Sequence, residues 1–420
     1  MSDSQGGQIS HLSKRCPLFA LGFLLAACGT QLLAQAGGVV KVIKIDGKDV
    51  GPASSAGILA NQTLYVAGQD GRNADGSVPK DFQQEVGQSL RHVQDVLRAA
   101  GMDFGNAVWI NIYVTHAQDI AAMNDVYWQS MGDHPPARTV LVVGALPHGE
   151  NIEINCIAVS SAARRQVIHP PGWPQGGHID PAGIQADDVL YLSAQGGADP
   201  LTGKIAADFA GEVKQALDNI ATIAKTANMS MANVIWVNPY LSSGDAPQGV
   251  MNKIYATYFE FGNTPGRGTI QVVDLPNKSR IVFSCIAGAD LAKRKSIRPI
   301  NMPLSPTASP GILYDDTYYM SAKSGFIPDQ GIVTPDVGLQ LRQSMRNLLD
   351  DLQQTDLDFP DVVSATVYLR EMKNEDQVEP LYSKFFKDHF PAQTLLQQSF
   401  DMKTATTEQI SFIAVRQPQH

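Results

Sequence analysis

The chain is short of positive charge. Its 420 residues carry 32 Lys and Arg against 41 Asp and Glu, a formal net charge of −9. No basic stripe interleaved with aromatics occurs in it, so a nucleic-acid partner is not expected; gripping a polyanion takes dense Lys and Arg to displace its counterions. Cysteine is scarce as well, four in all. Past the first 36 residues only Cys156 and Cys285 remain, and neither has a CxxC partner or a nearby histidine pair. That spacing argues against a zinc site. The longest apolar stretch falls short of the roughly 20 residues that span a bilayer. What is there is ordinary: 44% hydrophobic and 17% charged residues describe a folded globular chain, long enough for several domains.

That apolar stretch, PLFALGFLLAAC from Pro17 to Cys28, follows Lys14 and Arg15. A basic start, a short apolar core and small residues after it form a secretory signal. Residues 1–36 are therefore read as a leader, and the protein as exported, either periplasmic or a membrane-anchored lipoprotein. Two cleavage positions are compatible with the pattern. Leu25-Ala26-Ala27-Cys28 resembles a bacterial lipobox, in which Cys28 carries the lipid. Ala34-Gln35-Ala36 fits ordinary signal peptidase instead.

The rest of the chain repeats itself three times. DFQQEVGQSLRHVQDVLRAAG begins at Asp81, DFAGEVKQALDNIATIAKTAN at Asp208 and DVGLQLRQSMRNLLDDLQQTD at Asp336. In the first, Val86, Leu90, Val93 and Leu97 fall on one helical face. A strand-like segment precedes each (LYVAGQ, LYLSAQ, YYMSAK) and another follows (VWINIYV, VIWVNPYL, VSATVYL). A second helix comes next, and then two closing strands: PPARTVLVV with IEINCIAV, TPGRGTIQVV with IVFSCIAG, and FPAQTLLQQ with QISFIAV. Cys156, Cys285 and Phe412 share one strand position in the three copies, which makes the cysteines small core residues. Each copy is an α+β unit: strand, strand, helix, strand, helix, strand, strand, with a mostly antiparallel sheet and two helices on one face. The domains run 39–160, 166–290 and 296–417, joined by short polar basic linkers.

These residues resemble the RidA/YjgF family. The resemblance rests on P-A-R-T, L-P and I-E-I-x-x-I-A-V in the closing strands, N-x-x-Y in the second helix and the A-G-Q or S-A-Q loop. It implies a chorismate-mutase-like fold, assembly as a trimer with clefts between subunits, and hydrolysis of 2-imino acids and their enamines to 2-keto acids and ammonia. Three fused copies then imply an intramolecular pseudo-trimer, a monomer with three nonequivalent clefts. Position by position, the family's carboxylate-binding arginine falls on Arg138 and Arg267, with Gln393 in the third copy. Its water-positioning glutamate falls on Glu153, with Val282 and Gln409 as counterparts. Its helix asparagine falls on Asn124 and Asn252, with Glu379 in the third copy. The loop serine is Ala67, Ser193 and Ser321, and the glycine after it Gly68, Ala194 and Ala322. The family's early tyrosine has no counterpart at Pro52 to Ser55.

The chemistry of these residue types agrees with that reading. A guanidinium grips a carboxylate bidentately and stays charged at any relevant pH. Imine hydrolysis needs a positioned water and a base to take its proton. The imine carbon is already electrophilic, so neither a metal nor a cofactor is called for. Read as a hairpin turning near His148, the closing strands put Glu153 opposite Val143 and Arg138 about 17 Å away, at about 3.4 Å per residue. One copy therefore cannot close its own pair around a small acid. The expectation is one cleft holding Glu153 from one copy and an arginine, Arg138 or Arg267, from another.

Overall fold

A computed structural model describes residues 40–45, 53–161, 164–244, 246–300, 302–327, 330–332, 334–399 and 405–417, all within the compact unit Gly37–His420. The leader, both cleavage positions and Cys28 lie outside the described residues. Among those described, no helix is long and apolar enough to cross a membrane.

The first copy comprises β1 (Lys41–Ile43), β2 (Gly57–Ala60), β3 (Thr63–Asp70), α1 (Phe82–Ala99), β4 (Ala107–Val114), α2 (Ile120–Met131), β5 (Ala137–Val142) and β6 (Ile152–Val159). The second has β7 (Arg165–Ile168), β8 (Gly183–Ala186), β9 (Val189–Gly196), α3 (Phe209–Thr226), β10 (Val234–Ser242), α4 (Gln248–Tyr255), β11 (Gly266–Arg267), β12 (Ile270–Val272) and β13 (Ile281–Gly288). The third has β14 (Arg294–Ile297), β15 (Gly311–Tyr314), β16 (Thr317–Met320), α5 (Val337–Gln353), β17 (Val362–Leu369), α6 (Glu375–Tyr382), β18 (Ala392–Gln397) and β19 (Glu408–Val415). Each copy thus starts with one strand more than its sequence pattern indicates. Each long helix starts at its repeat's aspartate: Asp81, Asp208 and Asp336 accept from the backbone N–H of Gln84, Gly211 and Leu339. Such caps satisfy donors that the first turn leaves free. Val86, Leu90, Val93 and Leu97 are all buried against the sheet.

The closing strands are not a hairpin. The sheet order is β1-β2-β3-β6-β4-β5, with β4 inserted between β6 and β5. β4 pairs antiparallel with β6 and parallel with β5. The physical reason lies in β4, AVWINIYV, which is buried along its whole length and takes a neighbour on each edge. That leaves β5 as the outer strand, free to dock on the next copy.

This docking closes a ring. β5 lies against the second copy's sheet, where Thr139 Oγ1 and Ser284 Oγ are 2.9 Å apart. Arg267 N bonds Ser321 Oγ of the third copy at 2.7 Å. From the third copy, Thr394 Oγ1 accepts from Asn155 Nδ2 of the first at 2.8 Å. Ile58, Trp109, Ile184, Trp236, Ile312 and Val363 share one apolar cluster drawn from all three copies. Tyr113, Tyr240 and Tyr368 share a second. The expected pseudo-threefold arrangement is therefore the observed one, and the cleft that holds Glu153 lies between two copies, the third and the first.

Candidate functional site

Strand register fixes which residues are equivalent. Tyr113 faces Glu153, Tyr240 faces Val282 and Tyr368 faces Gln409, so those three positions correspond. Ile152 and Ile154 point to the helix-side core. Glu153 between them emerges on the opposite face, toward the neighbouring copy.

Between copies 1 and 2, Arg138 is buried and already gripped. Its Nε and Nη2 donate to Asp180 Oδ2 at 3.0 and 2.9 Å, and its Nη1 donates to Asn124 Oδ1 at 2.8 Å. The guanidinium lies 4.3 Å from the Tyr127 ring centre and 5.1 Å from that of Trp128. Burial raises the Asp180 carboxyl's pKa, and the charge of Arg138 pulls it back. Ser193 works as a clip between copies: its Oγ accepts from Arg138 N at 2.9 Å and donates to Pro181 O at 2.6 Å.

Between copies 2 and 3, Arg267 is the counterpart that has no counter-charge among the described residues. It donates to Thr269 Oγ1 at 2.8 Å, Thr307 O at 3.3 Å and Asn252 Oδ1 at 2.6 Å, and it lies 4.8 Å from the Tyr255 ring centre. All these acceptors are neutral. Each terminal nitrogen keeps one further N–H. Burial lowers its pKa, as expected of a desolvated cation with no partner charge.

Between copies 3 and 1 the charge is reversed. Glu153 is buried there, with Leu395 N–H of the third copy donating to it. The cleft, about 590 Å³, is also lined by Gln393, Glu379, Glu375, Glu150 and Asp70. Glu153 therefore faces Gln393, and the expected pairing with Arg138 or Arg267 does not form. The reason is the direction of the ring: β5 reaches forward to copy 2, β11 to copy 3 and β18 to copy 1. Gly68 is what admits Glu153, because a Cβ there would sit 1.6 Å from its Oε1. The other two copies have Ala194 and Ala322 at this position, and neither has a glutamate to house.

One loop position sets the state of each cleft, and sequence reasoning passed it over. Counting back from Gly57, Gly183 and Gly311, which begin equivalent strands, the third residue is Ser54, Asp180 or Ala308. Ser54 Oγ accepts from Gln393 N at 3.2 Å, Asp180 fills the Arg138 fork, and Ala308 has nothing with which to grip Arg267. Aligning these loops was the one available signal. Cys156 and Cys285 are buried free thiols. Burial pushes Cys156 up to about 12 and raises Cys285 too, so both are inert core residues.

The acidic cleft sets a pH dependence. Burial, then the neighbouring Glu153 and Asp70, push Glu150 up to about 10 from 4.5 despite the Arg72 Nε at 3.1 Å. Burial, then Asp70, push Glu153 up to about 8. Folding raises both pKa values, so the folded chain holds protons that the unfolded chain releases above about pH 4.5. Stability then falls as pH rises from there through 8 to 10. The melting temperature is expected to be about 5 °C or more lower at pH 9 than at pH 6, and Glu150→Gln should flatten the slope. A flat or rising profile in calorimetry would contradict the reversed charge of this cleft.

Three α+β units docked in a ring, with a cleft of about 590 Å³ between the third and the first, define the class of protein. The family description Endoribonuclease L-PSP matches residues 49–160, 180–288 and 305–415. The chain belongs to that family, in three tandem copies. It is similar to the 2-iminobutanoate/2-iminopropanoate deaminase of Capra hircus, 40% identical over 112 residues, which cover 26% of this chain and 81% of the relative. The Homo sapiens protein of that name is 33% identical over 123 residues, covering 29% and 88%. Among solved structures, the YjgF gene product from E. coli is 31% identical, with 29% of this chain and 99% of that chain covered and a TM-score of 0.28.

Proposed function

We propose that the chain binds small 2-keto and 2-imino acids through Arg267 and hydrolyses the imino acids, at the cleft between copies 2 and 3, to 2-keto acids and ammonia. The observation that carries this is the buried guanidinium of Arg267, bonded to neutral acceptors alone, with one N–H left on each terminal nitrogen. A carboxylate completes such a fork bidentately. Water then adds to the held imine carbon and one of its protons passes to the nitrogen; the second proton follows from the new hydroxyl as the C=O bond forms, the C–N bond breaks and ammonia leaves. The relatives' names support this reaction class.

Gln409 occupies the glutamate's strand position in copy 3. An amide orients water but takes no proton from it, so turnover lacks the factor of about 10² to 10⁴ that a general base supplies. That same residue favours the second reading, a binding module for small carboxylates with no turnover. Titration with 2-ketobutyrate and turnover of freshly generated 2-iminobutanoate separate the two. Arg267→Ala is expected to weaken 2-ketobutyrate binding by about 1.5 to 3 kcal/mol and to abolish turnover. Binding through Arg267 without turnover above the buffer reaction would leave the binding module standing. Binding and turnover unaltered in Arg267→Ala would remove both readings.

A further inference from the structure

The cleft between copies 3 and 1 has lost what a carboxylate needs. Gln393 stands where the other copies have arginine, and Glu379 where they have asparagine. Glu153, Glu150 and Glu375 add carboxylates to the same walls. Among the described residues Arg72 is the one arginine or lysine lining it, and it is committed to Asp70 and Glu150. A second observation is independent of charge: the Gln393 side chain is buried, at 6% exposure, and its amide nitrogen has no hydrogen-bond partner among the described residues. A buried donor left unmatched is costly, and a ligand acceptor removes that cost.

We propose that this cleft binds a small organic amine carrying a neutral hydrogen-bond acceptor, its ammonium group among the glutamates and its acceptor on the Gln393 amide. The glutamates repel a ligand carboxylate, which leaves a hydroxyl or amide oxygen as the fitting acceptor. Among the described residues no three Asp, Glu, His or Cys come close enough to hold a metal ion, so the missing counter-charge is that of an organic cation. The volume of about 590 Å³ also suits a molecule better than an ion. Burial with nearby carboxylates pushes Glu375 to about 7 and Glu153 to about 8, the mark of negative charge without compensation. The amine site is separate from the Arg267 cleft and does not depend on it.

The test is calorimetric titration of the full chain at pH 8.5 with ethanolamine and 3-aminopropanamide. Propylamine, which has the charge without the acceptor, 2-ketobutyrate and calcium chloride serve as comparators. Expected are saturable one-to-one binding of the first two, weaker binding of propylamine, and a loss of about tenfold or more in Glu379→Gln. Arg267→Ala should weaken 2-ketobutyrate binding by about tenfold or more and leave the amines untouched, which keeps failure of the carboxylate site apart from failure of this one. Should Glu379→Gln fail to fold, Glu379→Asn restores the residue of the first two copies. Absence of saturable amine binding, amine binding unchanged in both Glu379 variants, or displacement of the amines by calcium would each overturn the proposal.

Discussion

Gln393→Arg combined with Glu379→Asn should raise 2-iminobutanoate hydrolysis by about 10² to 10⁴ over the parent chain. The double change places arginine, asparagine, Gly68 and Glu153 in one cleft, a set that no cleft holds now. Both substitutions are needed. A carboxylate left at position 379 lies where Asn124 and Asn252 touch their arginines, and it would fill the new fork as Asp180 fills that of Arg138. The change also acts on Glu153 itself. With its carboxyl at about 8, Glu153 is mostly protonated at pH 7 and a poor base. A guanidinium across the cleft favours the ionised form and brings it toward the ordinary range. Turnover should then appear with a pH profile rising through the lowered pKa of Glu153, and Glu153→Gln in that background should remove it. A folded double variant that binds 2-ketobutyrate at the new arginine yet shows no added turnover would deny Glu153 any role as base.

Much of this was legible in the sequence because it is periodic. Asp81, Asp208 and Asp336 mark the helix starts through their capping chemistry, and the spacing of Val86, Leu90, Val93 and Leu97 marks the buried face. The shared positions of Cys156, Cys285 and Phe412 align the last strands. Pairing was not legible in the same way. An apolar strand such as β4 calls for two neighbours without naming them, and the Pro147 turn invites a hairpin that the inserted strand prevents. The partner of Glu153 was hidden for a related reason. Within any one copy, nothing local states which neighbour its outer strand meets, so both arginines fitted equally well. The ring direction emerges only when three outer strands have docked. Asp180 was hidden by a different cause. It sits in a loop without periodicity, where Ser54, Asp180 and Ala308 share no chemistry, and only the folded clefts reveal that they share a place.

Asp180→Ala should convert the chain from one 2-ketobutyrate site to two. The substitution puts into copy 2 the residue that copy 3 carries as Ala308, and it frees the Arg138 fork that Asp180 Oδ2 now holds at 3.0 and 2.9 Å. A buried guanidinium stripped of its counter-charge lowers stability. The Asp180 side chain is 28% exposed, and Asn124 with the Tyr127 and Trp128 rings still holds Arg138, so the loss is expected at about 1 to 3 kcal/mol rather than at the upper end for buried pairs. A carboxylate ligand replaces what was removed. At a concentration about 100 times its Kd it returns about 2.7 kcal/mol through mass action. The melting temperature of the variant should therefore fall without ligand and recover with 2-ketobutyrate by more than the parent gains. Calorimetry should count two sites, with Arg138→Ala or Arg267→Ala each removing one. Turnover at the new site should stay low, since Val282 stands in the glutamate's position there and offers neither a base nor a hydrogen bond to water. A folded variant that still binds a single 2-ketobutyrate, and gains no extra thermal protection from it, would mean that Arg138 serves the fold alone and that Asp180 is its permanent partner rather than a stand-in for a ligand.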